Sequence, residues 1–364
     1  MSRPNNRKSG TGCPQCVKGV RASEVSPGLR EDWSPVNDRS FDSVSRQSAF
    51  RAAWKCRSGH EWDSTVYDRV RGRGCPKCAL VRSVSSPERE VASLLDSWGV
   101  GYVSSDRSVL AGREVDIYVP SAGVAIEFNG LYWHGDRFKS RSYHRDKSDL
   151  ARAAGVQLIH VWEDDWLERR GVVESMISRK LGVSTEDRVN ARSLTKVILT
   201  TREARKFLDS HHLQGFSNGS EYYGLSEGGE VRAVLVMKRR GGGEWELVRF
   251  ATNAIVRGGH SRLFKWFTED HPEVERVVTF ADQGVSDGGL YETCGFSRDR
   301  VLPPDYTYVV GRRRVHKFNY RLKRFRDDPL LEYREGMSER ELADINNIPR
   351  IWDAGKIRYV WTRT

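Results

Sequence analysis

The stretch EVDIYVPSAGVAIEFNGLYWHGD, residues 114–136, places Glu114, Asp116, Glu127 and Asn129 in two short strand-like runs, with His134 just beyond. Alternation puts Glu114, Asp116 and Tyr118 on one face of the first run, away from Val115, Ile117 and Val119; in the second, Glu127 and Asn129 share a face with Ala125, away from Val124, Ile126 and Phe128. If the acidic faces coincide, Asp116 and Glu127 meet within a few ångströms, and their repulsion demands a cation or a raised pKa. Oxygen donors without a nitrogen or sulfur cage point to Mg2+, which would polarise a scissile phosphate and lower the pKa of an attacking water. Phosphodiester hydrolysis is the expected chemistry. An exposed hairpin with a polar face is the plainer alternative.

A second group of candidate ligands is soft. Cys56 and His60 flank a Ser-Gly turn and Cys75-Pro-Lys-Cys78 supplies a second knuckle, so three thiolates and one imidazole can converge on tetrahedral zinc. Cys13-Pro-Gln-Cys16 offers two further thiolates, and an all-thiolate site of Cys13, Cys16, Cys75 and Cys78 is the alternative. The surrounding segment has little apolar content, so a structural zinc would supply folding energy that a small core lacks.

The elements that must position these residues follow from periodicity. In SSPEREVASLLDSWGV, Ser86 caps and Pro87 opens a helix whose stripe of Val91, Ala92, Leu94, Leu95 and Trp98 puts Glu88 on the core side and Glu90 on the flank. YHRDK places His144 and Lys147 one turn apart on the next helix. GVQLIHVWEDDW then reads as a buried, parallel strand with His160 as a hydrogen-bonded core residue and Glu163, Asp164 and Asp165 at its carboxyl end. Tyr132 is expected as a core aromatic; Trp133 suits a core position or a wedge into DNA equally.

The order helix Glu88, strand Asp116, Glu127-x-Asn129 and then Gly-Leu-Tyr-Trp-His resembles the PD-(D/E)xK nucleases, in the branch that holds very-short-patch repair endonucleases and the EDxHD phage homing endonucleases. The resemblance covers residues 86–166. It implies a central α/β core with a mixed sheet, Asp116 and Glu127 on Mg2+, Glu88 as the helix acid, His134 as the proton-transfer group with Asp136 nearby, and Glu163 in support. Asn129 stands where the superfamily has Lys, and Lys147 would restore that cation. It implies a site-specific, Mg2+-dependent DNA endonuclease. Upstream, Trp54, Cys56, His60 and Trp62, then Arg69, Gly72, Gly74, Cys75 and Cys78, with Trp33 and Asn37 before them, resemble repeated zinc-ribbon domains.

Beyond residue 190 the texture changes. A Thr200-x-x-Glu203 capping box, three strands near 222–225, 231–237 and 245–250, a glycine turn into a helix, and further strands at VERVVTFA and DYTYVVG give the order αβββαβαβ. This resembles the acyl-CoA N-acyltransferase (GNAT) fold. The resemblance places Arg257, Gly258, Gly259, His260 and Ser261 at the coenzyme A pyrophosphate, although the spacing departs from the family pattern. Leu290, Tyr291, Gly295 and Phe296 match its "LYxxxGF" ending, which would make Tyr291 an acid and Glu246 a base. A coenzyme A-dependent N-acetyltransferase with a nucleic-acid-binding amino-terminal region is therefore the alternative function. His211 and His212 are adjacent and weak as metal ligands.

Length and charge bound the rest. The 364 residues suffice for several cores, and the net charge of +11 predicts a polyanionic partner, double-stranded DNA. The first 82 residues carry twice as many Lys and Arg as Asp and Glu, and RRRVHKFNYRLKRFR at 312–326 interleaves cations with aromatics, as phosphate contact and base stacking or a solvated face would require. The absence of a long apolar run predicts no membrane span, and the opening residues lack a secretory signal, so a cytoplasmic protein is expected, in a bacterial host if phage-encoded. The fold expected is multidomain α/β: a zinc ribbon over 1–82, a nuclease core over 83–185, and a GNAT-like domain over 186–364 with a basic extension.

Overall fold

The computed structural model describes residues 20–56, 59–76 and 86–363; Cys13, Cys16 and Cys78 lie outside them. The chain forms two compact units, Met1–Arg89 and Glu90–Thr364.

In the first, α1 (Ala22–Val25) precedes an antiparallel hairpin of β1 (Arg51–Lys55) and β2 (Glu61–Thr65), followed by α2 (Val66–Val70). Its small core gathers Ala22, Phe41, Val44, Ala52, Trp54 and Val66. Asn37 closes the edge of β1 as another strand would, donating to Ala53 O and accepting from Ala53 N, both at 2.8 Å. Arg69 lies over Trp54 and Trp62 and pairs with Asp32, so a cation does the packing for which few aliphatic residues are available.

Helix α3 (Ser86–Ser97) leads into the second unit. There β3 (Val103–Leu110), β4 (Arg113–Val119) and β5 (Val124–Asn129) run antiparallel, and α4 (Tyr143–Ala153) crosses to β6 (Gln157–Trp162), which is parallel to β5. The helices α5 (Glu163–Glu168) and α6 (Arg170–Leu181) follow. One face of this sheet packs Ile117, Ile126, Phe128 and Ile159 against Val91, Leu95, Trp166 and Ile177; the other packs Ala125 and Leu158 against Ala151 of α4. Glu127 and Asn129 share the parity of Ala125, so they face α4.

The remaining chain contributes β7 (Arg188–Asn190), β8 (Thr195–Ile198), α7 (Thr201–His211), β9 (Glu221–Glu227), β10 (Glu230–Arg239), β11 (Glu244–Thr252), β12 (Ile255–Arg257), α8 (Gly259–Asp270), β13 (Arg276–Asp282), α9 (Gly289–Glu292) and β14 (Ser297–Leu302). It closes with β15 (Tyr306–Val310), β16 (Arg313–His316), α10 (Leu322–Asp327), α11 (Glu339–Ile345), β17 (Arg350–Trp352) and β18 (Lys356–Thr362). Seven strands form one sheet in the order β14-β18-β13-β11-β10-β9-β8. Its one parallel contact, β11 with β13, covers only Glu244–Glu246 against Arg276–Val278. On the other side of β11 the register slips, Val236 facing Arg249 and Met237 facing Leu247. That bulge adds twist and turns β11 away from β13, so a cleft opens beyond Glu246.

The strand expected at Tyr306–Val310 does not join this sheet. Residues 303–355 form an excursion with its own three-stranded sheet, β16-β15-β17, and a core of Tyr306, Tyr308, Tyr320, Phe325, Leu342 and Ile348. The large sheet is completed by β18 instead. It meets the smaller four-stranded sheet where the His160 amide on β6 donates to Gly284 O, at 2.8 Å.

Candidate functional site

Three regions carry chemistry. In the first unit, Cys56 ends at the hairpin turn, His60 leads into β2 and Cys75 follows α2. Their ligand atoms lie within 4.8 Å of one another, with Cys75 Sγ 3.7 Å from His60 Nδ1. A zinc held about 2.0–2.3 Å from each donor requires separations of this order, so the three residues fit the ion.

The second region surrounds Asp116 and Glu127. The β4–β5 pairing ends at Ile117 opposite Ile126. One step further the strands give way to side chains: Asp116 Oδ2 accepts the Phe128 amide at 2.7 Å, and buried Glu127 pairs with buried Lys147 from α4. Tyr143, one turn before Lys147, is pushed up to about 12 by burial and then by the Glu127 and Asp116 carboxylates, so both acids act on one hydroxyl. His134 Nδ1 and His144 Nε2 share a hydrogen bond of 2.9 Å. Burial, and then nearby cations including Lys147 and Lys139, hold both imidazoles near 3 and therefore neutral. The donor set is oxygen, as a hard cation needs, with Lys147 already balancing part of the charge.

Other expected residues do different work. Asn129 turns to His160, Nδ2 to Nδ1 3.1 Å, and His160 is the buried hydrogen-bonded residue anticipated, with Ser148 Oγ 2.9 Å from its Nε2. Asp136 pairs with Arg350 of the excursion, and Glu163 accepts the Leu131 amide at 3.0 Å while pairing with Arg312. Glu88 is half-buried on the first turn of α3 and falls in the first unit. Glu90, assigned to the flank, accepts from Trp166 Nε1 at 3.0 Å and Arg170 at 2.8 Å. Tyr132 and Trp133 are not core residues: at 66 and 64% exposure they pack on each other and on Phe138. The basic stretch is also partly internal. Arg312, Arg313 and Arg314 pair in turn with Glu163, Glu168 and the Asp164/Asp165 pair.

The third region is the cleft between β11 and β13, with a volume of about 1590 Å3. Leu247–Asn253 line one side; Asp282, Ser286, Leu290 and Tyr291 line another, and His211, the last residue of α7, and His212 after it close it. Burial raises Tyr291, which Thr279 hydrogen-bonds, and Thr279 itself donates to Leu247 O at 3.0 Å. Burial also raises Asp282, helped by Asp353 and opposed by the Gly284 amide and Lys356. His212 is held near 3, first by burial and then by Arg249 and Arg169. Glu246, the base expected from sequence, is tied to Arg240. Beside the cleft, Gly258 adopts φ +72° to turn the chain into α8, whose first turn holds His260 and Ser261 around Cys294 Sγ at 3.0 and 3.2 Å. Asp282 escaped the sequence reading because its burial depends on the excursion: the Gly355 carbonyl accepts from Gln283.

Residues 29–80 match a family described as "Probable Treble clef zinc finger domain". The amino-terminal region is therefore zinc-finger-like with a structural zinc site, of treble-clef rather than ribbon type. No curated protein matches. Solved structures similar to the chain include a Bacillus subtilis acetyltransferase in complex with CoA, 13% identical over 47% of this chain and 100% of that one, TM-score 0.29. Two more are an IAA acetyltransferase from Bacillus cereus, 14% identical over 47% of this chain and 100% of that one, TM-score 0.27, and a GNAT family acetyltransferase from Elizabethkingia anophelis with acetyl-CoA bound, 13% identical over 47 and 98%, TM-score 0.27. The expectation of a Mg2+-dependent DNA endonuclease is corrected on this finding: the similar structures are acetyltransferases, and here Glu127 is engaged by Lys147 and Asp116 by the Phe128 amide. The findings likewise give no support to a PD-(D/E)xK core. The chain is a mixed α/β multidomain protein with a zinc-finger-like amino-terminal region. No helix among the described residues is long and apolar enough to cross a membrane.

Proposed function

We propose that the protein is a coenzyme A-dependent N-acyltransferase whose basic, zinc-clipped amino-terminal unit binds double-stranded DNA. The observation that carries the reading is the parting of β11 from β13 after three residue pairs, which leaves the β13 side of β11 without a partner strand beyond Leu247, along one wall of the cleft. Such an edge suits the amides of a pantetheine arm. The first turn of α8, reached through the left-handed Gly258, suits a pyrophosphate. Coenzyme A, when bound, supplies the acyl group as a thioester. In this reading the Tyr291 hydroxyl, kept protonated by burial, gives its proton to the departing thiolate, and Asp282, a stronger base than an ordinary carboxylate, takes the proton of the attacking amine. For the central cluster we propose Asp116 and Glu127 as ligands of Mg2+, with Lys147 and the His134–His144 pair positioning them; calorimetric titration of Mg2+ into the parent and Asp116→Ala tests this, and equal affinities would reject it.

The test of the main reading is acetyl-CoA titration by calorimetry, together with thiol release in the presence of amines. Tyr291→Phe is expected to bind acetyl-CoA like the parent but to release thiol about 100-fold more slowly, the scale of one general acid. A parent protein that does not bind acetyl-CoA would defeat the proposal.

A further inference from the structure

The acceptor side of the cleft has a feature that a small amine does not call for. Phe318, in the turn Lys317–Tyr320, and His316 before it both line the cleft. Phe318 is 58% exposed, yet its ring is held: His316 lies 4.8 Å away and the Arg321 guanidinium stands 4.3 Å from its centroid. Leu290, also exposed, lines the same cleft. A fixed, solvent-facing ring with a cation on it is a platform for another flat ring.

Charge decides which ring. The carboxylates near this turn are committed, Asp305 to Lys317 and Glu339 to Arg321. On the next helix, α10, Lys323 is exposed, beside Arg324 paired with Asp328 and Arg326 paired with Asp327. A lysine side chain or polyamine would want uncommitted carboxylates at the mouth; a phosphate backbone wants cations there.

We propose that the acceptor is an unpaired nucleobase of a single strand, stacked on Phe318 with its exocyclic amine directed into the cleft. This rests on the acyltransferase reading and names its substrate. The amine nitrogen attacks the thioester carbonyl carbon; the C–N bond forms and the C–S bond breaks. One amine proton passes to Asp282 and the Tyr291 proton passes to the thiolate, giving an N-acylated base and free thiol. Proton return from Asp282 to Tyr291 through water restores both groups.

Two measurements on the full chain test it. Photocrosslinking to a bromodeoxyuridine-substituted single strand, with peptide mapping, is expected to label residues 316–321. Transfer of labelled acetyl from acetyl-CoA to the strand is expected to show KM raised about tenfold in Phe318→Ala and restored in Phe318→Trp, as loss and return of one stacked base require. Transfer to a lysine peptide but not to the strand, an unaltered KM in Phe318→Ala, or crosslinks confined to residues 20–76 would each overturn the proposal. Failure of the parent reading is separable: acetyl-CoA would then not bind, while the crosslink to 316–321 would remain.

Discussion

Removing Lys147 is the sharpest test of the central cluster. Its side chain and that of Glu127 are 6 and 4% exposed, so Lys147→Met leaves a buried carboxylate without its cation. Breaking such a pair from one side costs about 3–5 kcal/mol, whereas replacing both partners by uncharged groups of similar shape is often close to neutral. Lys147→Met should therefore lower the urea midpoint, read by tryptophan fluorescence at unchanged slope, and Glu127→Gln added to it should recover most of the loss. Acid should shrink the penalty, because a stranded carboxyl escapes it by taking up a proton. Millimolar Mg2+ should raise the midpoint of Lys147→Met more than that of the parent, since the divalent ion replaces the missing charge. A single variant within about 1 kcal/mol of the parent, or a double variant weaker than the single, would refute the reasoning.

Two further outcomes follow from groups outside that cluster. Chelating zinc, or Cys75→Ser, should abolish the near-ultraviolet circular dichroism arising from the edge contact of Trp33 and Trp54 at 5.0 Å, because metal binding of about 10–16 kcal/mol is folding energy for so small a core; a retained signal would exclude the zinc clip. Burial pushes the Asp165 carboxyl up from 3.8 to about 6 despite Arg314. With the folded value above the unfolded one, the stability it contributes is complete below the unfolded value and is lost as pH rises through about 6. Asp165→Asn should accordingly gain about 1–3 kcal/mol over the parent at alkaline pH in denaturant melts, and nothing in acid; a variant weaker than the parent at alkaline pH would contradict this.

Local pattern revealed what depends on local pattern. Period-two alternation put Asp116 and Glu127 on one face because the buried apolar positions at Ile117 and Ile126 leave no other register, and helical spacing brought Lys147 to the same side. The Thr200–Glu203 capping box formed as read. What the sequence could not disclose lies in pairings far apart along the chain. Arg312, Arg313 and Arg314 read as a polyanion surface until α5 is seen beside them, and Tyr306–Val310 has the composition of a sheet strand wherever it packs. The β11 bulge leaves no residue signature either, since Val248 and Arg249 are ordinary strand residues. Tyr132 and Trp133 suit a core by composition and yet lie at the surface with Phe138, because hydrophobicity alone does not tell a core from a surface patch.

The 303–355 excursion leaves from Leu302 and returns at Lys356, and these two residues are partners across β14 and β18. Entry and exit thus stand one strand spacing apart, about 5 Å, a gap that a tight turn would bridge. The segment is built like a cassette: it can be gained, lost or exchanged over evolutionary time without rethreading the parent sheet. Excision would uncover Leu131 and Trp162, which Val309 and Ile351 now cover, and would take from Asp136, Glu163, Asp164, Asp165 and Glu168 the arginines that pair with them. A descendant without the cassette should show polar replacements at Leu131 and Trp162.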